Sequence, residues 1–272
     1  MKNFIRNVTA SGLLVCSLGA VAVDEPESGT PALRGEVDGQ GAIVAEANAE
    51  PPTPDLTFSG NVALTNDYAF RGISQTDENP AIQGGFNVNH VSGFYAGTWA
   101  SNVDFNEDES GGLDGATLEL DVFGGFASKF GSSELGYDVG VLGYLYPGAD
   151  EDRNYDYAEV YAGLTYNMFT VKYYYSPEFF AETGTAHYID LTANVPLPND
   201  FGLLVHVGHQ AVEDNTLFGA PDYTDYRIGV NKKVAGFGLD LSYVDSNLDE
   251  GECFGGLDWC DARVVFTVSR SL

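Results

Sequence analysis

From Leu56 to Leu272 apolar and polar residues alternate in runs of about ten, each broken by turn residues. In LTFSGNVAL one face carries Leu56, Phe58, Val62 and Leu64, and the other Thr57, Ser59, Asn61 and Ala63. ATLELDVFGGF sets Leu118, Leu120, Val122 and Phe126 against Thr117, Glu119 and Asp121. YAEVYAGLTY sets Ala158, Val160, Ala162 and Leu164 against Tyr157, Glu159 and Tyr161. A period of two is the mark of a strand with two different faces. The runs predict strands near 56–71, 81–91, 94–104, 115–128, 134–146, 155–166, 170–176, 186–196, 201–210, 223–233, 237–245 and 261–272. That is about 12, an even count that lets both ends lie on one side of a membrane.

The connections are sorted by length. Every other one is tight: SG, KFGSS, NMF, PLPND, KVAG. Those between are long and polar: ISQTDENP, NEDESGGLDG, PGADEDRN, PEFFAETGT, AVEDNTLFGAPD and ECFGGLDWC. A soluble sandwich could bury the same apolar faces, but it has no reason to put short turns at one end and long loops at the other. An outer-membrane barrel does both: it turns its apolar face to lipid and wets its lumen. The fold class is therefore all-β, a single antiparallel up-and-down transmembrane β-barrel of about 12 strands in the bacterial cell outer membrane. Tyr68, Phe70, Tyr95, Tyr144, Tyr146, Tyr173 and Tyr175 fall near strand ends, where aromatic girdles meet the headgroups.

The first residues change the picture only before the barrel. Lys2 and Arg6 precede the short apolar run SGLLVCSLGAVAV with small residues at its end, so 1–22 reads as a signal peptide. Cys16 lies within that run, preceded by a Val15 too bulky for a lipoprotein site. Residues 23–55 are acidic and carry Ala, Gly and Pro, a flexible lead to the barrel at 56–272. Loss of Lys2 and Arg6 takes the net charge from −28 to −30. So negative a surface excludes nucleic acid as a partner. Cys253 and Cys260, seven apart in an exported chain, predict a disulfide within one loop. A metal site would need more Cys or His nearby, and no metal or cofactor is expected.

In NDYAFRGISQ, residues 66–75, a strand running to residue 71 would place Tyr68 and Phe70 in the outer girdle. Asp67 and Arg71 would then face inward at the mouth, too far apart to meet. Arg263, on the last strand, is the partner expected for Asp67.

NDYAFRGISQ, GFYAGTWASNV, YDVGVLGYLYP, YAEVYAGLTY and VKYYYSPEFF occur in the order seen in the TorF-type porins, a proteobacterial outer-membrane family formerly grouped as conserved hypothetical proteins, which the chain resembles over about residues 55–272. The resemblance implies a β-barrel and a porin role, with no catalytic residues to carry over. Such barrels usually end in Phe as an assembly signal. Here Leu272 stands at the end and Arg270 interrupts the outward series Val264, Phe266, Val268, close enough to the interface to snorkel.

Inward parity sorts the charges into two walls. Glu119, Asp121, Asp138 and Glu159 form an acidic wall with no base among them. Arg71, Arg227 and Arg263, with Asp67, Asp225 and Asp240, form a mixed wall, Arg227 within salt-bridge reach of Asp240. Asp121 and Asp138 are diagonal neighbours that would share a cation if close. Pore-lining charges select ions by sign, so the acid excess predicts passive diffusion of small hydrophilic solutes or ions with modest cation preference. Inward Tyr144, Tyr157, Tyr161, Tyr174 and Tyr188 would narrow the lumen, and twelve strands lie between the filled eight and the open sixteen. A plugged barrel that binds ligands through acidic outer loops is the alternative. A barrel enzyme is third: His206 faces Thr192 near Asp190, but no Ser stands opposite it, so no catalytic residue is assigned. The partners expected are outer-membrane lipids, small solutes or cations, and the barrel-assembly machinery.

Overall fold

The computed structural model describes residues 55–105, 115–149 and 154–272. The signal peptide expected at 1–22 and nearly all of the lead expected at 23–55 lie outside the described residues, as do parts of two of the long loops. The chain forms β1 (Leu56–Thr65), a small hairpin of β2 (Ala69–Phe70) and β3 (Ile73–Ser74), then β4 (Ala81–His90), β5 (Phe94–Asn102), β6 (Leu118–Lys129) and β7 (Gly136–Leu145). It continues with β8 (Tyr157–Tyr166), β9 (Phe169–Ser176), β10 (Ala186–Pro196), β11 (Phe201–Val212), β12 (Tyr223–Val234), β13 (Phe237–Ser246) and β14 (Arg263–Ser271). All strands but β2 and β3 join one closed antiparallel barrel of twelve, each pairing with its neighbour in sequence, and β1 closes on β14.

Closure is in register from Asn61 opposite Ser271 to Thr65 opposite Thr267. Just beyond, the Asn66 side chain takes over the ladder's work: Nδ2 donates to Val264 O at 3.1 Å and Oδ1 accepts from Phe266 N at 2.6 Å. The outer face is apolar along every strand, with Phe58, Ile82, Phe94, Val141, Val160 and Val264 each at least half exposed. An all-round apolar belt on a closed barrel is a lipid-facing surface, since only a closed ladder satisfies the backbone in hydrocarbon. No helix among the described residues is long and apolar enough to cross a membrane; the crossing is by strands.

The tight turns lie at the end that holds Leu56 and Ser271, and the long connections at the other, the outer end. At the outer end Glu213 accepts from both the backbone N–H and the hydroxyl of Thr185 at 2.9 Å, tying two loops together. Those bonds hold its carboxyl below the usual range. The Cys253–Cys260 disulfide closes the last loop.

The first strand is shorter than the sequence pattern predicts. β1 stops at Thr65 instead of reaching residue 71. Thr65 Oγ1 donates to Asp67 O at 2.8 Å, and the chain turns into the lumen. Tyr68 and Phe70 are thus not girdle residues; Tyr68 is 4% exposed within the barrel. Tyr144 and Tyr146 are likewise inside, and the Tyr95 hydroxyl reaches the inward Asp138. Tyr173 lies on the outer face, 45% exposed.

Candidate functional site

The lumen is the one interior the fold encloses, and its outer end is filled by residues 66–76. Ala69 pairs with Ser74 and Phe70 with Ile73, so Arg71 and Gly72 form the two-residue tip. Their φ angles are +47° and +82°, both left-handed, as a tight hairpin turn of this length requires. Glycine at 72 also answers to space: a Cβ there would stand 2.7 Å from Asp225 Cβ on the barrel wall.

Asp67 holds the base of the hairpin. Its Oδ1 accepts from Ser74 Oγ at 2.6 Å and Thr76 Oγ1 at 3.0 Å, and its Oδ2 from Arg263 Nη1 at 3.2 Å. Arg263 also donates to the carbonyls of Asp261, Asp258 and Trp259. The tip is held by Arg71, whose Nη2 donates to Glu159 Oε2 at 2.8 Å and Nη1 to Gln210 Oε1 at 2.7 Å. The guanidinium lies over the rings of Tyr188, at 4.1 Å, and Phe70, at 4.8 Å. Arg71 and Glu159 are 3% and 2% exposed. A buried pair of this kind is stable only while both members and their hydrogen bonds are in place.

A carboxylate–phenol cluster surrounds the hairpin. Glu119 accepts from Tyr68 Oη at 2.7 Å and Tyr146 Oη at 2.9 Å. Tyr144 donates to Glu159 at 3.2 Å and stacks on Tyr157 at 4.3 Å. Asp121 is 2% exposed, and its Oδ1 has no hydrogen-bond partner among the described residues.

Toward the short-turn end the wall changes character. Tyr95 and Tyr161 bond to one another, and Tyr95 donates to Asp138 at 2.5 Å. Lys172 reaches the same carboxylate at 2.8 Å. These rings lie flat along the wall because their neighbours are glycines: a Cβ at Gly125 or Gly140 would stand 2.6 Å from Cζ of Tyr95 or Tyr161. On the opposite wall Arg227 pairs with Asp240 at 2.8 Å, their side chains 16% and 13% exposed. His206 lies between Asp190, 3.3 Å from Nδ1, and Asp225, 2.8 Å from Nε2.

Above the hairpin the long loops form an aromatic pocket. Phe105, Phe179, Phe180, Phe218, Phe254 and Trp259 make its sides, with Tyr157 and Tyr223 below and Arg71 and Gln75 from the hairpin. Trp259 Nε1 donates to Asp77 Oδ1 at 2.8 Å, fastening the disulfide loop to the hairpin's exit.

All ten charged residues expected in the lumen sit inside it, in a different arrangement. Arg71 does not belong to the mixed wall: carried on the hairpin, it crosses to the acidic wall and pairs with Glu159. Asp121 and Asp138 do not converge, because Asp138 is taken by Lys172 and Tyr95 while Asp121 faces Tyr144 across the ladder. The acidic wall therefore has a base against it. Lys172 escaped the sequence reading although its parity with Tyr174, two residues on, places it inward. Asp67 and Arg263 meet, as do Arg227 and Asp240.

The apolar belt and closed twelve-strand sheet define a bacterial outer-membrane barrel. The chain belongs to a family of bacterial proteins of unknown function, Gcw_chp, which matches residues 48–272. Among solved structures the fold is similar to the NanC porin, at a TM-score of 0.50 and 11% identity over 78% of this chain and 98% of that one. It is similar to the COG4313 outer membrane channel from Pseudomonas putida F1, at 0.50 and 11% over 82% and 100%. The KdgM porin aligns at 0.49 and 9% over 79% and 99%. Among curated protein sequences, none matches.

Proposed function

We propose that the protein is an outer-membrane channel for small hydrophilic solutes or ions, with modest cation preference, closed at its outer end in this conformation by the hairpin at 66–76. The observation that carries the reading is the uneven filling of the lumen. A barrel filled only for structure would be packed along its length, as small barrels are. Here the stopper is one short segment held by ion pairs and phenol–carboxylate bonds, contacts that water can replace, above a glycine-containing wall whose charges water reaches. The names of the NanC porin and the COG4313 outer membrane channel, and the TorF-type resemblance, agree with this reading. The acid excess on the wall supplies the cation preference.

The test is single-channel current from purified protein in a planar bilayer, with the reversal potential read in a salt gradient. Rare steps from the native protein, and frequent cation-biased steps when 68–75 is replaced by a short Gly-Ser linker, are expected. Silence from both, with folding verified by heat-modifiable gel mobility, would overturn the channel. A barrel that binds ligands at its outer face would then stand, a reading favoured by the aromatic pocket. There Tyr157 and Tyr223, 7% and 2% exposed, line the pocket.

A further inference from the structure

The carboxylates around the hairpin outnumber the bases available to them. Glu119, Asp121 and Glu159 face one sector of the lumen, each 1–2% exposed. Asp121 is within electrostatic reach of both others. Arg71 is the one base bonded to this group among the described residues, so three ionised carboxylates against one guanidinium would leave two negative charges. The nearest other inward amine on this wall, Lys172, is engaged by Asp138. Glu119 has both oxygens bonded to phenols, and Glu159 has Arg71 and Tyr144. Asp121 has neither, and its Oδ1 is without a partner. Uncompensated charge at such depth is costly.

We infer that Asp121 holds a hard monovalent cation, sodium or potassium, in the lumen beside the hairpin. The phenols of Tyr68, Tyr146 and Tyr157 lie within electrostatic reach of Asp121, a hard-oxygen environment that selects alkali and alkaline-earth ions over soft metals. Calcium would need six to eight oxygens and magnesium a rigid octahedron. No group of three or more acidic, His or Cys side chains converges closely enough for a chelated metal among the described residues. One carboxylate with neutral oxygens suits a singly charged ion that keeps part of its water. Trp99 and Tyr144 stand opposite Asp121 on the two flanking strands and bound the site. The inference gives a place to the cation preference proposed above and rests on that reading for its role. It is read by binding, so failure of conduction leaves it testable.

The experiment is thermal unfolding of the full barrel in detergent at constant ionic strength and pH, with sodium exchanged stepwise for N-methylglucamine, a cation too bulky to enter. The native protein should show a saturable rise in Tm of about 3–5 °C with sodium. Asp121→Asn, of the same shape without the charge, should show no sodium response. Asp121→Ser serves if the amide fails to fold. Equal melting of the native barrel in both salts would overturn the proposal. If Tm instead follows pH between 5 and 9 in the native barrel but not in Asp121→Asn, a proton occupies the place assigned to the ion. A sodium response that survives in both variants places the ion elsewhere and equally sinks it.

Discussion

The two ends of this lumen share the same twelve strands and differ in what answers their polar groups. At the outer end the answer is the chain itself. Arg71, Glu159, Asp67, Arg263 and Glu119 are all at most 9% exposed, each bonded to another part of the protein. At the short-turn end the Arg227–Asp240 and Lys172–Asp138 pairs follow the wall, and exposures of 16%, 13% and 18% for Arg227, Asp240 and Asp138 let water share the work. Strand sequence does not make the difference, because inward charges occur at both ends. It comes from one departure: β1 ends a few residues early and the freed segment folds inward. A polar lumen becomes a core when a polar segment is supplied to fill it.

That contrast can be broken from the filled end first. Arg71→Ala removes the cation between Glu159 and Gln210 and leaves a buried carboxylate unpaired. A loss of about 3–5 kcal/mol is expected in urea unfolding of the micelle-bound barrel. If the hairpin leaves instead, the loss is smaller and protease nicks appear within 66–80. An unchanged midpoint with no nicking would mean the tip contributes nothing. Gly72→Ala tests the same end through the backbone, since both the +82° φ and the approach to Asp225 oppose a side chain. About 2 kcal/mol is expected, seen in the same urea titration. The smallest effect belongs to the wetted end: Arg227→Gln should cost about 1 kcal/mol or less, because water can solvate Asp240 once its partner is gone. A larger cost there than for Arg71→Ala would reverse the comparison.

Most of the barrel was legible in the alternation, because a strand with lipid on one side and water on the other cannot avoid a period of two. Strand number, the sorting of loops and the inward set of charges all follow from it. The Asp67–Arg263 contact was legible too, since barrel closure brings first and last strands together whatever lies between. The hairpin was not read, although Phe70-Arg71-Gly72-Ile73 carries its sign: two apolar residues flanking a pair that ends in glycine. Period-two parity runs unbroken from β1 through Phe70, and alternation alone cannot tell a strand that continues from one that stops and re-forms. The place of Arg71 against Glu159 could not be had from parity at all, because a residue on a hairpin within the barrel has no position on the wall. Tyr144 and Tyr146 show a related limit: an aromatic near a strand end satisfies a girdle or a plugged mouth equally well, and only the contents of the mouth decide.

The chain contains two tryptophans, and both touch this segment. Trp99 meets the ring of Tyr68 edge-on at 5.3 Å, and the indole N–H of Trp259 binds Asp77. Neither ring is spent on the lipid belt. The indole emission of the whole protein is therefore confined to the two flanks of the inward segment, one deep in the bore and one at the rim, so a spectrometer exciting tryptophan alone watches the hairpin without any label.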